Sequence, residues 1–210
     1  TYIQISPEGE VFAINGHVDL GTGVRTAFAQ IVAEELDVPL DRVRMVMGDT
    51  DRTPDQGPTT ASASIERAAV PMRRAGAQVR RLLLQRAAAQ WDCTPEELRV
   101  SEGTVHGPRG ARIGYGALAQ GLSLDVDIDP AVPLKPPGEY RLVGRSLARV
   151  DIPAKLTGAQ TYVHDLRLPG MLHARMVRPP YRGRDVGAMI GRSLIAVEPS
   201  SIAHIPGLVA

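Results

Sequence analysis

The chain has 210 residues, 43% of them hydrophobic, with 24 Lys and Arg against 23 Asp and Glu for a formal charge of +1. That balance creates no net field to attract a nucleic acid or an anionic membrane, and no apolar run approaches the roughly 20 residues of a membrane helix. The single cysteine, Cys93, excludes an internal disulfide and any thiolate metal site made by this chain alone.

Residues 2–5 and 11–20 alternate apolar and polar about Pro7-Glu8-Gly9-Glu10, which predicts a hairpin whose second strand runs into Gly21-Thr22-Gly23. Val24, Ala27, Phe28, Ile31 and Val32 then recur at helical period, predicting a helix over 22–36 closed by Asp37-Val38-Pro39. Residues 41–47 alternate as a strand and end at Gly48-Asp49-Thr50-Asp51. After a loop over 52–58 comes the longest helical signal, through Ile65, Met72, Val79 and Leu83 to Arg86, with Pro71 expected to kink or break it. Arg73, Arg74, Arg80, Arg81 and Arg86 on that helix read either as a solvated face or as a docking face for an acidic partner.

Thr94-Pro95-Glu96-Glu97 predicts a capped short helix, 98–105 a hairpin turning at Glu102-Gly103, and 115–120 another short helix. From Asp125 to Gly138 the composition shifts to Asp, Pro and Gly without periodicity, which marks a linker. A second unit follows, with strands expected at 160–163, 171–177 and 194–197 and turns at Thr157-Gly158, Pro169-Gly170 and Pro179-Pro180. Residues 201–210 read as a short helix, a turn and the start of a strand. Together with an opening at Thr1, that tail leads us to expect a piece of a longer protein.

The chemistry concentrates in two small-residue turns that each precede a helix, Gly21-Thr22-Gly23 and Gly57-Pro58-Thr59-Thr60-Ala61-Ser62-Ala63-Ser64. Glycines admit a ligand close to the backbone, and the first N–H groups of a helix are unpaired donors at its positive end. Both turns are candidate anion seats; an ordinary strand-to-helix turn and a capped helix start are the competing readings. No lysine follows the first turn, so a nucleotide-hydrolysing phosphate loop is disfavoured. The third glycine and the βαβ spacing of a dinucleotide fingerprint are also absent. Asp49 and Asp51 read as turn residues. His17, His106, His164, His173 and His204 have no metal-ligand spacing, which leaves them structural or surface roles.

Asp19-Leu20-Gly21-Thr22-Gly23, the Ala-rich helix with Gln30, Gly48-Asp49-Thr50 and Pro58-Thr59-Thr60-Ala61-Ser62-Ala63-Ser64 together resemble the molybdopterin-binding large subunits of the xanthine oxidase type of molybdenum hydroxylases. Gly144-Arg145, the run from Arg149 to Gly158, Tyr162, Asp165-Leu166, Pro169-Gly170-Met171-Leu172-His173 and Arg178-Pro179-Pro180 resemble that family's α/β hammerhead domain. Cofactor-type motifs precede the hammerhead stretch, as in the isoquinoline 1-oxidoreductase and nicotinate dehydrogenase branch.

The resemblance implies an α+β fold: part of a molybdopterin-binding lobe over 1–138, then part of a hammerhead domain over 139–210. It implies hydroxylation of a small N-heteroaromatic substrate with water as oxygen source. The implied cofactor is molybdopterin with molybdenum, in its cytosine dinucleotide form, with electrons leaving through 2Fe-2S clusters on a small partner subunit. By the same resemblance Gly21, Thr22 and Gly23 face the pterin phosphate region, and Thr60, Ala61, Ser62, Ala63 and Ser64 line the cofactor from the other turn. Thr22 stands where many relatives carry Gln. The family's catalytic glutamate belongs to a later motif that nothing here matches, so no residue of this chain is assigned as catalytic or as a metal ligand. The rival readings are an unrelated phosphate-ligand enzyme and a non-catalytic interaction module docking through the arginine-bearing helix.

Overall fold

The computed structural model describes residues 2–176, 196 and 198–208. The chain divides into two units, residues 1–160 and 161–210. In the first, strands β1 (Ile3–Ile5), β2 (Val11–Asn15) and β3 (Val43–Met47) form a sheet in that order. β1 pairs antiparallel to β2 with Ile3 opposite Ala13, and β3 pairs parallel to β2 with Val11 opposite Val43. A parallel neighbour requires a crossover, and helix α1 (Val24–Leu36) supplies it. A βαβ arrangement is therefore present where the spacing shows none; the strands are short, and the long loop at the first turn hides their period.

Helix α2 (Ala69–Trp91) packs against α1 and the sheet. Phe28, Val32 and Leu36 of α1, Met72, Val79 and Leu83 of α2, and Val11 and Ala13 of β2 make one buried core. Pro71 does not break α2, which continues to Trp91; directly upstream the helix widens into a π-helical turn over Ser64–Ala68, in which the Ala69 N–H reaches back to the Ser64 carbonyl, a local departure from α geometry of the kind a proline imposes.

A second antiparallel sheet, β4 (Arg99–Ser101), β5 (Thr104–His106) and β6 (Arg112–Gly114), leads into helix α3 (Tyr115–Ala119). Thr94 and Glu97 make the expected capping box, but on a 3-10 turn over Pro95–Glu97.

The stretch expected to be a linker is instead strapped to both long helices. Gln78 clamps it by donating to the Asp127 carbonyl at 2.8 Å and accepting the Asp129 N–H at 2.7 Å. The Lys135 ammonium lies 2.8 Å from Glu34 and 2.5 Å from Asp37. Most of the arginine run is used in the same way: Arg73 pairs with Glu35 at 2.6 Å and donates to the Tyr140 hydroxyl, Arg80 pairs with Asp37 and Arg81 with Asp129. Their partners lie far away in sequence, so these side chains look solvated when read along the helix alone.

The strap continues through residues 141–143, whose N–H groups all donate to Glu34 Oε2 at 2.6–2.9 Å. Gln30 donates to the carbonyls of Leu142 and Arg145. A short helix α4 (Ile152–Leu156) follows within the same unit.

The second unit carries 3-10 turns at Val163–Asp165 and Pro199–Ser201. Residues 160–163 and 171–176 carry no strand, and Val177, the last residue of the expected second strand, lies outside the described residues. The expected strand over 194–197, apart from Ala196, and the Arg178-Pro179-Pro180 motif lie outside the described residues. Among the described residues no helix is long and apolar enough to cross a membrane, and no cluster of His, Cys, Asp or Glu could hold a metal ion.

Candidate cofactor-binding site

The second small-residue turn is bonded to the segment that leaves the carboxyl end of β2 and runs into the first. The buried Asn15 side chain closes that strand: its Nδ2 donates to the Ala68 carbonyl at 3.2 Å and its Oδ1 accepts the His17 N–H at 2.9 Å. The Gly16 N–H donates to Gln56 Oε1 at 2.7 Å. A Cβ on Gly16 would collide with the Pro54 carbonyl oxygen, so only glycine lets the two loops touch. The Val18 N–H donates to Thr59 Oγ1 at 3.0 Å. Residues 16–18 are thus bonded to the second turn, and the first turn follows directly.

The two turns differ in the donors they have left. In the first, Asp19 fills the seat at the start of α1: Oδ1 accepts the N–H groups of Gly21 and Gly23 at 2.9 and 3.1 Å, and Oδ2 accepts that of Arg25 at 3.0 Å. Partial burial pushes the Asp19 carboxyl up, but the N–H donors of Arg25, Gly21 and Gly23 outweigh it and hold the carboxyl below its ordinary range. Gly23 has φ +82°, and a Cβ there would press on the Arg149 side chain at 3.1 Å. The Arg149 guanidinium donates to the Gly21 carbonyl at 2.8 Å and forks onto Asp151 at 3.0 and 2.7 Å. The Val150 N–H donates to Thr26 Oγ1 at 3.0 Å. Hydrogen bonding to Arg149 and Lys155 drives the Asp151 carboxyl far below the usual carboxylate range. Among the described residues, nothing takes up the backbone N–H or the hydroxyl of Thr22.

In the second turn Ala61 and Ser62 take left-handed conformations, φ +48° and +61°. The N–H groups of Thr60, Ala61 and Ser62 donate to no protein acceptor among the described residues, and the hydroxyls of Thr60 and Ser62 are likewise unspent. Ala63 donates to the Thr60 carbonyl and so closes the turn. Ser64 Oγ lies 2.8 Å from Nδ1 of His17, whose Nε2 is 3.3 Å from the Gln56 carbonyl oxygen. That imidazole is 1% exposed.

A phosphate-bearing pterin asks for N–H and O–H donors on a surface with little side-chain bulk. The donor set of residues 60–62 fits that demand. A cavity of about 370 Å³ between α2 and the strap, lined by Ala77, Leu84, Pro133 and Leu134 among others, includes no residue of either turn.

Sequence reading misses three residues that build the site. Asp19 has a local signal, since an Asp just ahead of a glycine turn at a helix start is a capping pattern. His17 and Arg149 carry none, because their partners lie 47 and 128 residues away.

A βαβ unit whose strand end presents a donor-rich turn has the chemistry to seat a phosphate-bearing ligand, and comparison narrows the class. Residues 1–152 match the molybdopterin cofactor-binding domain family, and the chain belongs to it. The chain is 56% identical over 209 residues to a nicotinate dehydrogenase subunit of Pseudomonas putida, matching all of this chain and 18% of that protein. It is 27% identical over 247 residues to the beta subunit of isoquinoline 1-oxidoreductase of Brevundimonas diminuta, covering 99% of this chain and 31% of that one. Among solved structures, reconstituted CO dehydrogenase from Oligotropha carboxidovorans superposes with a TM-score of 0.51 at 25% identity, over 60% of this chain and 16% of that chain. The chain therefore spans less than a third of the length of these relatives.

Proposed function

We propose that this chain is the part of a molybdenum hydroxylase large subunit that holds the molybdopterin, and that the whole protein oxidises a small N-heteroaromatic substrate of the nicotinate or isoquinoline kind. The observation that carries this is the unspent donor set at Thr60, Ala61 and Ser62 in a chain of this family, held against the end of β2 by Thr59 and Ser64. The substrate class is supported by the 56% identity to the Pseudomonas putida nicotinate dehydrogenase.

Gly21, Thr22, Gly23, Thr60, Ala61, Ser62, Ala63 and Ser64 form the cradle. The N–H groups of residues 60–62, with the Thr60 and Ser62 hydroxyls, bind phosphate oxygens. Thr22 adds a hydroxyl and an N–H, while Gly21 and Gly23 keep side-chain bulk away. The Asp19 cap and the Arg149 clasp keep the first turn in one conformation, so that little ordering remains when the cofactor binds. The chemistry supplied by the bound group is a two-electron hydroxylation with oxygen from water. Residues 1–138 are the lobe that binds the group, in cytosine dinucleotide form, and 139–210 belong to the hammerhead domain. A small iron-sulfur subunit carries the electrons away.

The test is molybdenum content of the full-length protein purified with its partner. Ser62→Ala deletes a hydroxyl while keeping a Cβ at the left-handed position, and Thr60→Val deletes another on an exposed site. Hydrogen bonds to a charged group are worth about 1.5–3 kcal/mol, so each variant is expected to hold the cofactor about tenfold or more weakly. Wild-type molybdenum retention in both variants would refute the assignment.

A further inference from the structure

We infer that His17 is the positioning residue of the second turn: it fixes the direction of the Ser64 hydroxyl hydrogen and so decides what Ser64 offers to a ligand. The inference rests on the cofactor-holding role proposed above and goes beyond it.

Nε2 of the buried imidazole faces the Gln56 carbonyl oxygen at 3.3 Å, and a carbonyl can only accept, so the ring proton belongs on Nε2. In the neutral ring Nδ1 is then bare, and the hydrogen between it and Ser64 Oγ, 2.8 Å away, comes from the serine. The Ser64 proton is thereby directed into the protein. Toward the ligand Ser64 presents lone pairs and accepts a hydrogen bond; it does not donate one to a phosphate oxygen. Anion binding is left to the N–H groups and hydroxyls of residues 60–62, and Ser64 meets an N–H or O–H of the ligand.

Gln56 holds the other end of this arrangement. Its carbonyl sets the tautomer while its side-chain oxygen takes the Gly16 N–H at 2.7 Å. The loop that carries the second turn therefore orients the ring that orients Ser64. His17 lies inside the protein and its ring meets the second turn at Ser64, so it acts on a ligand only through the serine.

Two substitutions separate the ends of the ring. His17→Asn places an amide near the Nδ1 position and can still accept from Ser64. His17→Gln places one near Nε2, keeps the Gln56 carbonyl bonded and abandons Ser64. In the full-length protein purified with its partner, cofactor loss during dialysis is followed by molybdenum content and by fluorescence of the released, oxidised pterin, alongside melting temperature. The expected result is that His17→Gln loses cofactor about three- to tenfold faster than wild type, the range set by one hydrogen bond. His17→Asn stays within about twofold of wild type. Ser64→Ala matches His17→Gln, and the His17→Gln, Ser64→Ala double variant is no worse than either single one.

Equal loss in His17→Asn and His17→Gln, additive loss in the double variant, or wild-type retention in His17→Gln would each overturn the inference. Absence of molybdenum from wild type, or wild-type retention in both Ser62→Ala and Thr60→Val, is the separate signature of failure of the cofactor-holding role itself.

Discussion

Glu34 anchors the strap to α1, and removing its charge should release residues 141–143. The side chain is 2% exposed; Oε1 meets the Lys135 ammonium at 2.8 Å, and Oε2 accepts the N–H groups of Arg141, Leu142 and Val143 at 2.9, 2.6 and 2.9 Å. Burial pushes the carboxyl up, but the Lys135 bond and these N–H donors outweigh it and bring it from 4.5 to about 2. A depressed carboxyl stabilises the fold fully above its unfolded value, and that contribution is lost as the pH falls from about 4.5 toward about 2. At about 1.4 kcal/mol for each pH step across that window, the contribution near neutral pH is about 3.5 kcal/mol.

Glu34→Gln removes the charge at any pH. It should raise the local opening of the strap about three hundredfold, since every 1.4 kcal/mol is about a factor of ten. Amide hydrogen exchange followed by mass spectrometry, read on peptides covering 139–145, measures this directly, with peptides from α2 as the internal control. Exchange of 139–145 in Glu34→Gln at the wild-type rate would refute the role given to the carboxylate. So would an equal acceleration across α2, which would mean global rather than local loosening.

Two further substitutions test other features of the packing. The Tyr115 hydroxyl is buried without a hydrogen-bond partner among the described residues, and burial drives its pKa well up, so Tyr115→Phe should raise stability by about 1 kcal/mol in urea unfolding; a clear loss would show that the hydroxyl is bonded in solution. Asp19→Ala strips the cap from Gly21, Gly23 and Arg25 and should cost about 1–2 kcal/mol, with Asp19→Asn recovering part of it; equal stability of Asp19→Ala and wild type would remove Asp19 as the holder of the first turn.

The elements legible in the sequence are those with a local cause. The period of Val24, Phe28, Ile31 and Val32 makes α1 readable, and Asp37-Val38-Pro39 closes it where Asp37 adopts φ +51°. The Glu102-Gly103 turn marks the β4 and β5 hairpin, whereas β6 leaves no trace because three residues are too short for alternation to register. The stretch over 125–138 reads as a linker because its order comes from Gln78, Arg81, Glu34 and Lys135 rather than from any period of its own. Of the proposed site, the small residues of both turns are legible, since a cluster of glycines and small polar residues ahead of a helix is a local feature of composition.

By itself the sequence determined that two donor-bearing turns precede two helices, and its motifs carried the resemblance to the family to which residues 1–152 belong. Only the tertiary structure decided that the turns are unequal. Asp19 spends the amides of the first, Ala61 and Ser62 hold those of the second open, and His17 with Gly16 joins the second to the end of β2. The reason is physical: composition and period record what a residue does with its near neighbours along the chain, while the direction of a hydrogen bond depends on which distant acceptor the fold brings within about 3 Å.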